Sequence, residues 1–212
     1  MPLVALIDYG SGNLRSAEKA LARAADGRGH TIVVTADPSV AAGAGRIVLP
    51  GVGAFADCMR GLKALPGMVE ALTDAVLGRG VPFLGICVGM QLLATVGREF
   101  GDHPGLGWIA GEVVKMTPSD HTLKIPHMGW NQLLFTWPHP LFAGIEPSAH
   151  AYFVHSYEIR PSDPADILAT AEYGGPFAAA VGRDNIVGTQ FHPEKSQTVG
   201  LTILGNFLGW TP

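Results

Sequence analysis

The first hundred residues alternate between short apolar runs and stretches with helical spacing. The runs at residues 4–8, 31–35, 46–49 and 81–86 are rich in β-branched and other apolar side chains, which is typical of buried strands. Apolar positions recur with a helical period at residues 13–24, 67–77 and 89–96. Strands that alternate with helices predict right-handed crossovers and a mostly parallel sheet with flanking helices.

The second half of the chain shows a different pattern. Residues 109–116, 130–135, 152–159, 167–172 and 178–181 are strand-like and are separated by Pro, Gly and Asp turns, with little helix between them. This pattern predicts an antiparallel extension of the same sheet. A strand at residues 186–191 and a helix at residues 198–208 complete the predicted elements. We see no internal repeat or flexible linker, and we predict a single α/β domain over residues 1–212.

Composition and charge narrow the possible classes of function. Hydrophobic residues make up 47% of the chain and charged residues 15%, so the sequence has the material for a buried core. The net charge of −4 argues against a surface that binds nucleic acid or a polybasic membrane anchor. No apolar run approaches the roughly 20 residues that a membrane span needs. The apolar excess therefore predicts a buried parallel sheet or an exposed partner surface.

A predicted strand-to-helix turn carries the clearest chemical signal. It has the sequence Gly85-Ile86-Cys87-Val88-Gly89, the arrangement of a nucleophile elbow with Cys in place of Ser. The two glycines let the strand and helix pass closely, so the thiol projects at the carboxyl edge of the sheet. A helix that begins at Val88 favours the thiolate, and the Val88 N–H can help to hold an oxyanion. The alternative is that Cys87 is a small buried hydrophobic residue.

A second cluster supplies a base and a group to orient it. His192 and Glu194 follow a strand, and residues two apart in an extended segment point the same way. Glu194 can then fix the tautomer of His192, which would accept the thiol proton and later protonate ammonia. The alternative is a surface His-Pro turn with a solvated glutamate.

A glycine-rich loop follows the third predicted strand. Its sequence is Pro50-Gly51-Val52-Gly53, and glycine on both sides leaves the Val52 peptide free to reorient. Such a peptide suits a second oxyanion-binding N–H. The same four residues are also compatible with an ordinary type II turn.

These three motifs together resemble the class I (triad) glutamine amidotransferases. Four further segments narrow the resemblance to the amidotransferase subunits of imidazole glycerol phosphate synthase, an enzyme of histidine biosynthesis. The segments are residues 8–16 (DYGSGNLRS), 125–131 (IPHMGWN), 152–157 (YFVHSY) and 190–196 (QFHPEKS). The resemblance covers almost the whole chain. It implies a flavodoxin-like open sheet and a glutaminase triad of Cys87, His192 and Glu194, with no cofactor and no metal.

The resemblance also implies a substrate site and a partner. Glutamine would contact Gln91 and the two glycines of the loop, Gly51 and Gly53, and its amino-acid end would lie against the backbone of His155, Ser156 and Tyr157. Ammonia would pass to a cyclase subunit with a (β/α)₈-barrel fold. The positions that match the family's interface with that cyclase are Asn13, Trp130, Tyr152 and Lys195.

Other interpretations of the sequence have less support. Gly10 and Gly12 follow a strand, but Arg15 stands where a dinucleotide fingerprint has its third glycine. The histidines lack metal-ligand spacing. Cys58 has no elbow or base nearby, and we interpret it as buried or inert. With only two cysteines there is no disulfide framework, which favours a reducing cytoplasm.

Three alternative functions stay open at this point. The chain could be an amidotransferase for another synthase, in the pyridoxal phosphate, anthranilate or purine pathways. It could also be a free-standing cysteine hydrolase or peptidase on the same elbow. A binding module without catalysis is the third, although Cys, His and Glu are all present. Partner dependence separates the first two classes, because a channelling subunit is activated by its partner and a free hydrolase is not.

Overall fold

The computed structural model describes residues 2–212, which form strands and helices in the following order. The strands are β1 (Leu3–Ile7), β2 (Thr31–Thr35), β3 (Arg46–Gly51), β4 (Phe83–Cys87), β5 (Val96–Gly97), β6 (His103–Pro104), β7 (Gly111–Lys115), β8 (His127–Gln132), β9 (Leu134–Phe135), β10 (His150–His155), β11 (Tyr157–Pro161), β12 (Ile167–Glu172), β13 (Pro176–Arg183) and β14 (Ile186–Thr189). The α-helices are α1 (Leu14–Ala24), α2 (Pro38–Ala42), α3 (Phe55–Ala64), α4 (Met68–Thr73), α5 (Val88–Gln91) and α6 (Gln197–Gly209). A π-helical turn spans Asp74–Gly78, and 3₁₀ turns span Pro140–Phe142, Pro164–Asp166 and Pro193–Lys195.

The main sheet has eight strands in the order β2-β1-β3-β4-β14-β13-β12-β9. The first five are parallel, and β13, β12 and β9 continue the sheet in antiparallel pairing. The parallel part has the flavodoxin-like order, in which ligands bind beyond the carboxyl ends of the strands. The predicted fold class, a mostly parallel sheet with an antiparallel extension and flanking helices, is confirmed.

The rest of the second half forms two smaller sheets. Strands β8 and β10 pair antiparallel, and a four-stranded sheet has the order β11-β7-β5-β6. The prediction of one extended sheet is therefore too simple. The predicted strand at residues 152–159 divides at Ser156, because β10 pairs with β8 whereas β11 pairs with β7. This division brings the backbone at Ser156 to a junction between two sheets.

The parallel strands form the centre of the core. Strand β4 and strand β14 are buried at every residue, as expected for a sheet covered on both faces. The buried apolar residues of these strands account for part of the apolar excess of the sequence. Arg46 anchors the last helix to the sheet, since its guanidinium donates to the carbonyls of Leu208 at 2.7 Å and Trp210 at 2.8 Å. None of the helices in residues 2–212 is long and apolar enough to cross a membrane.

Helix α5 is shorter than the helix predicted at residues 89–96. It ends after one turn because the carbonyls that would continue it accept bonds from a later loop. Leu92 O accepts from Leu106 N at 2.8 Å, and Leu93 O accepts from Ile109 N at 3.0 Å. The next residues, Val96 and Gly97, pair with β7 instead.

Two other helices differ from the prediction. The helix predicted at residues 67–77 is divided into α4 and the π-helical turn that follows it. Helix α3 was not predicted, although Phe55, Cys58, Met59 and Leu62 have the spacing of a buried helical face and are all buried.

Candidate active site

The elbow at Cys87 depends on a close approach of strand β4, helix α5 and strand β3. Cys87 has a φ of 55° and a ψ of −112°, a strained conformation for a residue with a side chain. A Cβ at Gly85 would lie 2.6 Å from the Gly89 carbonyl oxygen, and a Cβ at Gly89 would overlap the Leu49 carbonyl oxygen. Both glycines of the motif are therefore needed for this turn, as predicted from their spacing.

Three neighbouring strands deliver the candidate residues to one edge of the sheet. Gly51 at the end of β3 pairs with Cys87 at the end of β4, and Thr189 at the end of β14 pairs with Ile86. The segments that follow β3, β4 and β14 consequently meet above the carboxyl edge. They are the Val52 loop, helix α5 and residues 190–194.

His192 and Glu194 form a buried pair beside Cys87. The His192 Nδ1 lies 2.8 Å from the Glu194 Oε1, and their side chains are 2% and 3% exposed. Glu194 belongs to the 3₁₀ turn rather than to an extended segment, so the contact arises from a tighter turn than predicted. The His192 Nε2 is buried and has no hydrogen-bond partner among residues 2–212. This nitrogen is the atom available to a proton from Cys87.

The charge state of His192 is set by opposing effects. Burial lowers the pKa of His192, but its contacts with Cys87 and Glu194 raise it by more, to about 9 overall. Glu194 thus favours the imidazolium, the form that a cysteine–histidine ion pair requires.

These residues surround a cleft of about 330 Å³, a volume suited to a small-molecule ligand. The predicted residues that line the cleft are Val52, Gly53, Cys87, Val88, Gln91, His155, Ser156, Tyr157, His192 and Lys195. Glu194 lies behind His192 and does not line it. Gly51 is also outside the lining, because it packs against Gly89 and the Tyr9 hydroxyl, where a Cβ would lie within 2.8 Å of either.

The Val52 peptide has an orientation that the sequence does not reveal. Its carbonyl accepts hydrogen bonds from the Ser11 hydroxyl at 2.6 Å and the Cys58 thiol at 3.4 Å. Its N–H donates to the Ser11 oxygen at 3.4 Å. Burial raises the pKa of the Cys58 thiol, which keeps it protonated and able to donate. Cys58 is buried as predicted, and it also holds this loop.

Two hydrogen-bonded glutamines, Gln91 and Gln190, link the wall of the cleft at Tyr157 to Cys87. The Gln91 Nε2 donates to the Tyr157 carbonyl and to the Gln190 Oε1, both at 3.0 Å. The Gln190 Nε2 lies 3.7 Å from the Cys87 sulfur. Sequence reasoning missed Gln190, although it lies two residues before His192 at the end of a buried strand. It also missed Glu99, which lines the cleft and accepts from the Phe55 N–H at 2.7 Å.

A buried histidine pair adjoins the cleft, which one of its members, His155, also lines. The His127 Nδ1 and the His155 Nε2 are 3.0 Å apart, and the His155 Nδ1 lies 2.9 Å from the Tyr157 carbonyl oxygen. Burial lowers the pKa of each histidine to about 4, so both are neutral at pH 7. The predicted contact residue His155 therefore also has a side chain in a hydrogen-bond network.

The two-stranded sheet presents an exposed face beside the cleft. Trp130 is 47% exposed and Met128, on the same face of β8, is 66% exposed. The ring of Trp130 packs edge-on against Tyr152 at 5.9 Å, and the Lys195 Nζ lies 5.8 Å from the centre of the Tyr152 ring. Three predicted interface residues thus form one cluster. Asn13 precedes α1, and within residues 2–212 no hydrogen bond or ring contact joins it to them.

Comparison with known proteins defines the class to which this fold and cleft belong. The glutamine amidotransferase class-I family matches residues 5–209, and the chain belongs to that family. Among residues 2–212, no group of three or more His, Cys, Asp or Glu side chains is arranged to hold a metal ion.

Relatives give a more specific assignment. The chain is 64% identical to the imidazole glycerol phosphate synthase subunit HisH of Rhodospirillum rubrum, over 99% of both chains. It is 62% identical to the subunit of the same name from Caulobacter vibrioides, over the full length of both. The predicted resemblance to these amidotransferase subunits is confirmed, and the chain is a glutamine amidotransferase enzyme.

Solved structures agree with the fold. A crystal structure of a glutamine amidotransferase superposes with a TM-score of 0.72 at 18% identity, covering 98% of this chain and 99% of the other. A glutamine amidotransferase from Thermotoga maritima superposes with a TM-score of 0.61 at 17% identity, covering 91% and 76%.

Proposed function

We propose that this chain hydrolyses L-glutamine through a Cys87–His192–Glu194 triad and passes the ammonia to the cyclase subunit of imidazole glycerol phosphate synthase. The observation that carries the proposal is the buried His192 Nε2, which has no hydrogen-bond partner among the described residues 2–212, on a residue that lines the same cleft as Cys87. The products would be glutamate from this subunit, and imidazole glycerol phosphate and the aminoimidazole carboxamide ribotide from the complex.

The first step transfers the γ-glutamyl group to sulfur. The Cys87 thiol gives its proton to the His192 Nε2, and the thiolate adds to the side-chain amide carbon of glutamine. The carbon–nitrogen bond then breaks as the imidazolium protonates the leaving nitrogen, which departs as ammonia. Glu194 holds the imidazole by its Nδ1 throughout and stays ionised.

The second step releases glutamate. His192 takes a proton from water, the hydroxide adds to the thioester carbon, and the carbon–sulfur bond breaks to give glutamate and free Cys87. Water must reach the thioester, and the open side of the cleft supplies a route for it. The same opening must be covered by a partner if ammonia is to be channelled rather than lost.

The oxyanion of each tetrahedral intermediate needs two donors. Val88 is the first residue of α5, so its N–H has no partner within the helix and can serve as one donor. The Val52 N–H would be the second, but it faces Ser11 in this structure. The Val52 peptide would therefore have to rotate and release its bonds to Ser11 and Cys58, and the adjacent Gly53 at φ +97° gives the loop freedom to do so.

The glutamine would lie between α5 and the junction of the two smaller sheets. Both donor contacts of Gln91 are already made, so its Oε1 is the atom left for the substrate. The backbone at Ser156 and Tyr157 forms the opposite wall, and the amino-acid end of glutamine would lie against it.

The cyclase subunit, which the resemblance implies is a (β/α)₈ barrel, would cover the exposed aromatic cluster. Trp130, Tyr152 and Lys195 combine aromatic area with a cation, and Trp and Tyr are among the residues that contribute most to binding at interfaces. Lys195 also lines the cleft, so a partner on this face would lie next to the active site. We place the reaction in the cytoplasm, where the two free thiols Cys58 and Cys87 would stay reduced.

The test is a Cys87→Ala variant in the reconstituted complex. Glutamine-dependent formation of imidazole glycerol phosphate should be abolished, while added ammonium salt should still support it, because only the source of ammonia is lost. Cys58→Ala is the matched control and should retain glutamine-dependent turnover. Glutamine-dependent activity in the Cys87→Ala complex would refute the nucleophile assignment. Loss of the ammonium-dependent reaction would refute the proposal that glutamine hydrolysis and the cyclase reaction take place at separate sites.

A further inference from the structure

A buried glutamine beside the nucleophile has no part in the steps proposed above. Gln190 is fully buried, and its Nε2 lies 3.7 Å from the Cys87 sulfur, within hydrogen-bonding range for a sulfur acceptor. Its Oε1 lies 3.0 Å from the Gln91 Nε2, and its backbone N–H donates to the Ala179 carbonyl at 2.8 Å. Both ends of the side chain and its backbone are therefore held in place.

The direction of the contact with sulfur follows from one backbone carbonyl. The Tyr157 carbonyl can only accept, so the Gln91 atom 3.0 Å from it must be the amide nitrogen. The same nitrogen approaches Gln190, so the Gln190 atom there must be the amide oxygen. The nitrogen of Gln190 is then the atom that faces Cys87. An amide that could otherwise adopt two orientations is fixed in one.

A second donor holds the Tyr157 carbonyl at the other end of this network. The His155 Nδ1 donates to it at 2.9 Å, which makes the His155 Nε2 an acceptor for the His127 Nδ1. The His127 Nε2 is then an acceptor too, and the Asn131 Nδ2 lies 3.3 Å from it. Every member of the network has one consistent role, so the carbonyl that orients the two glutamines is firmly positioned.

We propose that Gln190 is a positioning residue for Cys87, and that its side-chain N–H donates to the sulfur and favours the thiolate over the thiol. A thiolate accepts hydrogen bonds far better than a thiol does, so a fixed donor stabilises the reactive form. Helix α5 has a single turn, which leaves less of a helix dipole at Cys87 than the sequence predicts. Gln190 supplies a directed donor in addition. The inference rests on the proposed role of Cys87 as nucleophile.

Other ionisable groups also face the sulfur and must stay constant in a test. Five of them line the same cleft: Glu99, His155, Tyr157, His192 and Lys195. The charge of Cys87 also influences the Tyr9 hydroxyl and the Cys58 thiol. A substitution confined to Gln190 leaves all seven in place.

The experiment measures alkylation of Cys87 by iodoacetamide as a function of pH, with peptide mass spectrometry to separate Cys87 from Cys58. The full chain is compared with Gln190→Leu, which removes the donor, and Gln190→Glu, which places a carboxylate near the sulfur. In Gln190→Leu, the midpoint of the pH profile for Cys87 alkylation should rise by about one pH unit, and the reaction at neutral pH should be roughly tenfold slower. In Gln190→Glu, the midpoint should rise further than in Gln190→Leu. Gln132→Leu, an exposed glutamine on β8, is the matched control and should keep the wild-type profile.

The outcomes separate the two proposals. If the wild-type Cys87 reacts no faster than Cys58, the nucleophile assignment fails and this inference fails with it. If the wild-type Cys87 is reactive and both Gln190 variants keep its profile, the inference is overturned and the nucleophile assignment stands. Gln190→Leu leaves the buried Gln91 Nε2 without one of its two acceptors, which can destabilise the fold. If Gln190→Leu shows no cooperative unfolding transition, the pH profile of Gln190→Glu alone decides whether the inference stands.

Discussion

Because of the buried histidine pair, the free energy of unfolding should decrease when the pH is lowered into the mildly acidic range. Burial lowers the pKa of His127 and His155 to about 4 from an ordinary value of 6.5. The unfolded chain therefore binds more protons than the folded chain between these values. The free energy of unfolding should fall as the pH is lowered through this window, and the loss should level off below about pH 4.

The size of this effect follows from the two pKa values. A histidine with an unfolded pKa of 6.5 and a folded pKa of about 4 should lower the free energy of unfolding by about 2 kcal/mol between pH 7 and pH 5. His192 acts with the opposite sign, because its pKa is raised to about 9. The stability that His192 contributes is complete below pH 6.5 and is lost as the pH rises through 9, largely outside the acid window.

The assay is urea unfolding, followed by tryptophan fluorescence, at pH 7 and pH 5. His127→Gln removes one titrating group and should lose roughly 2 kcal/mol less than the wild type over this interval, although it is less stable at pH 7. His150→Gln changes an exposed histidine at the start of β10 and should behave like the wild type. Equal losses in His127→Gln and the wild type would refute a neutral, buried His127.

Two further predictions concern the triad and the partner face. Glu194→Gln should lower the glutaminase kcat in the complex by about 10²-fold or more with little change in KM, because Glu194 orients His192 without lining the cleft; a kcat close to the wild-type value would contradict this. Trp130→Ala should weaken binding of the cyclase by roughly tenfold or more, measured by titration calorimetry. Trp137, which lies near β9 and is similarly exposed, supplies the control, and Trp137→Ala should leave the affinity unchanged. Equal affinities for the two variants would place the interface elsewhere.

Much of the candidate site could be predicted because its residues lie close together in the sequence. The glycines around Cys87 are dictated by steric contacts within one turn, and His192 and Glu194 lie two residues apart. The parallel pairing of the first strands is predicted by the alternation of strands and helices. Such features leave a short, readable pattern.

The missed features depend on contacts between distant segments. Gln190 has its role only because Gln91, 99 residues earlier, and the Tyr157 carbonyl fix its orientation. His127 and His155 meet through the pairing of β8 with β10. Helix α5 ends at Gln91 because the next two carbonyls, those of Leu92 and Leu93, accept hydrogen bonds from a later loop. None of these contacts is specified by spacing along the chain.

The Val52 loop shows the same limit. Its glycines are evident in the sequence, but the hydrogen bonds that fix the orientation of the Val52 peptide come from Ser11 and Cys58. The sequence predicts that Cys58 is buried or inert, and its burial is confirmed. Its donor role follows from the fold, which places α3 directly beneath the loop.

The central claim is that Cys87 carries the γ-glutamyl group of glutamine. The most direct measurement mixes the complex with glutamine, quenches it with acid within the first turnover and maps the modified peptide by mass spectrometry. The account predicts a γ-glutamyl thioester on Cys87, absent from Cys87→Ala. Formation of glutamate with no adduct on Cys87, or with the adduct on Cys58, would contradict it.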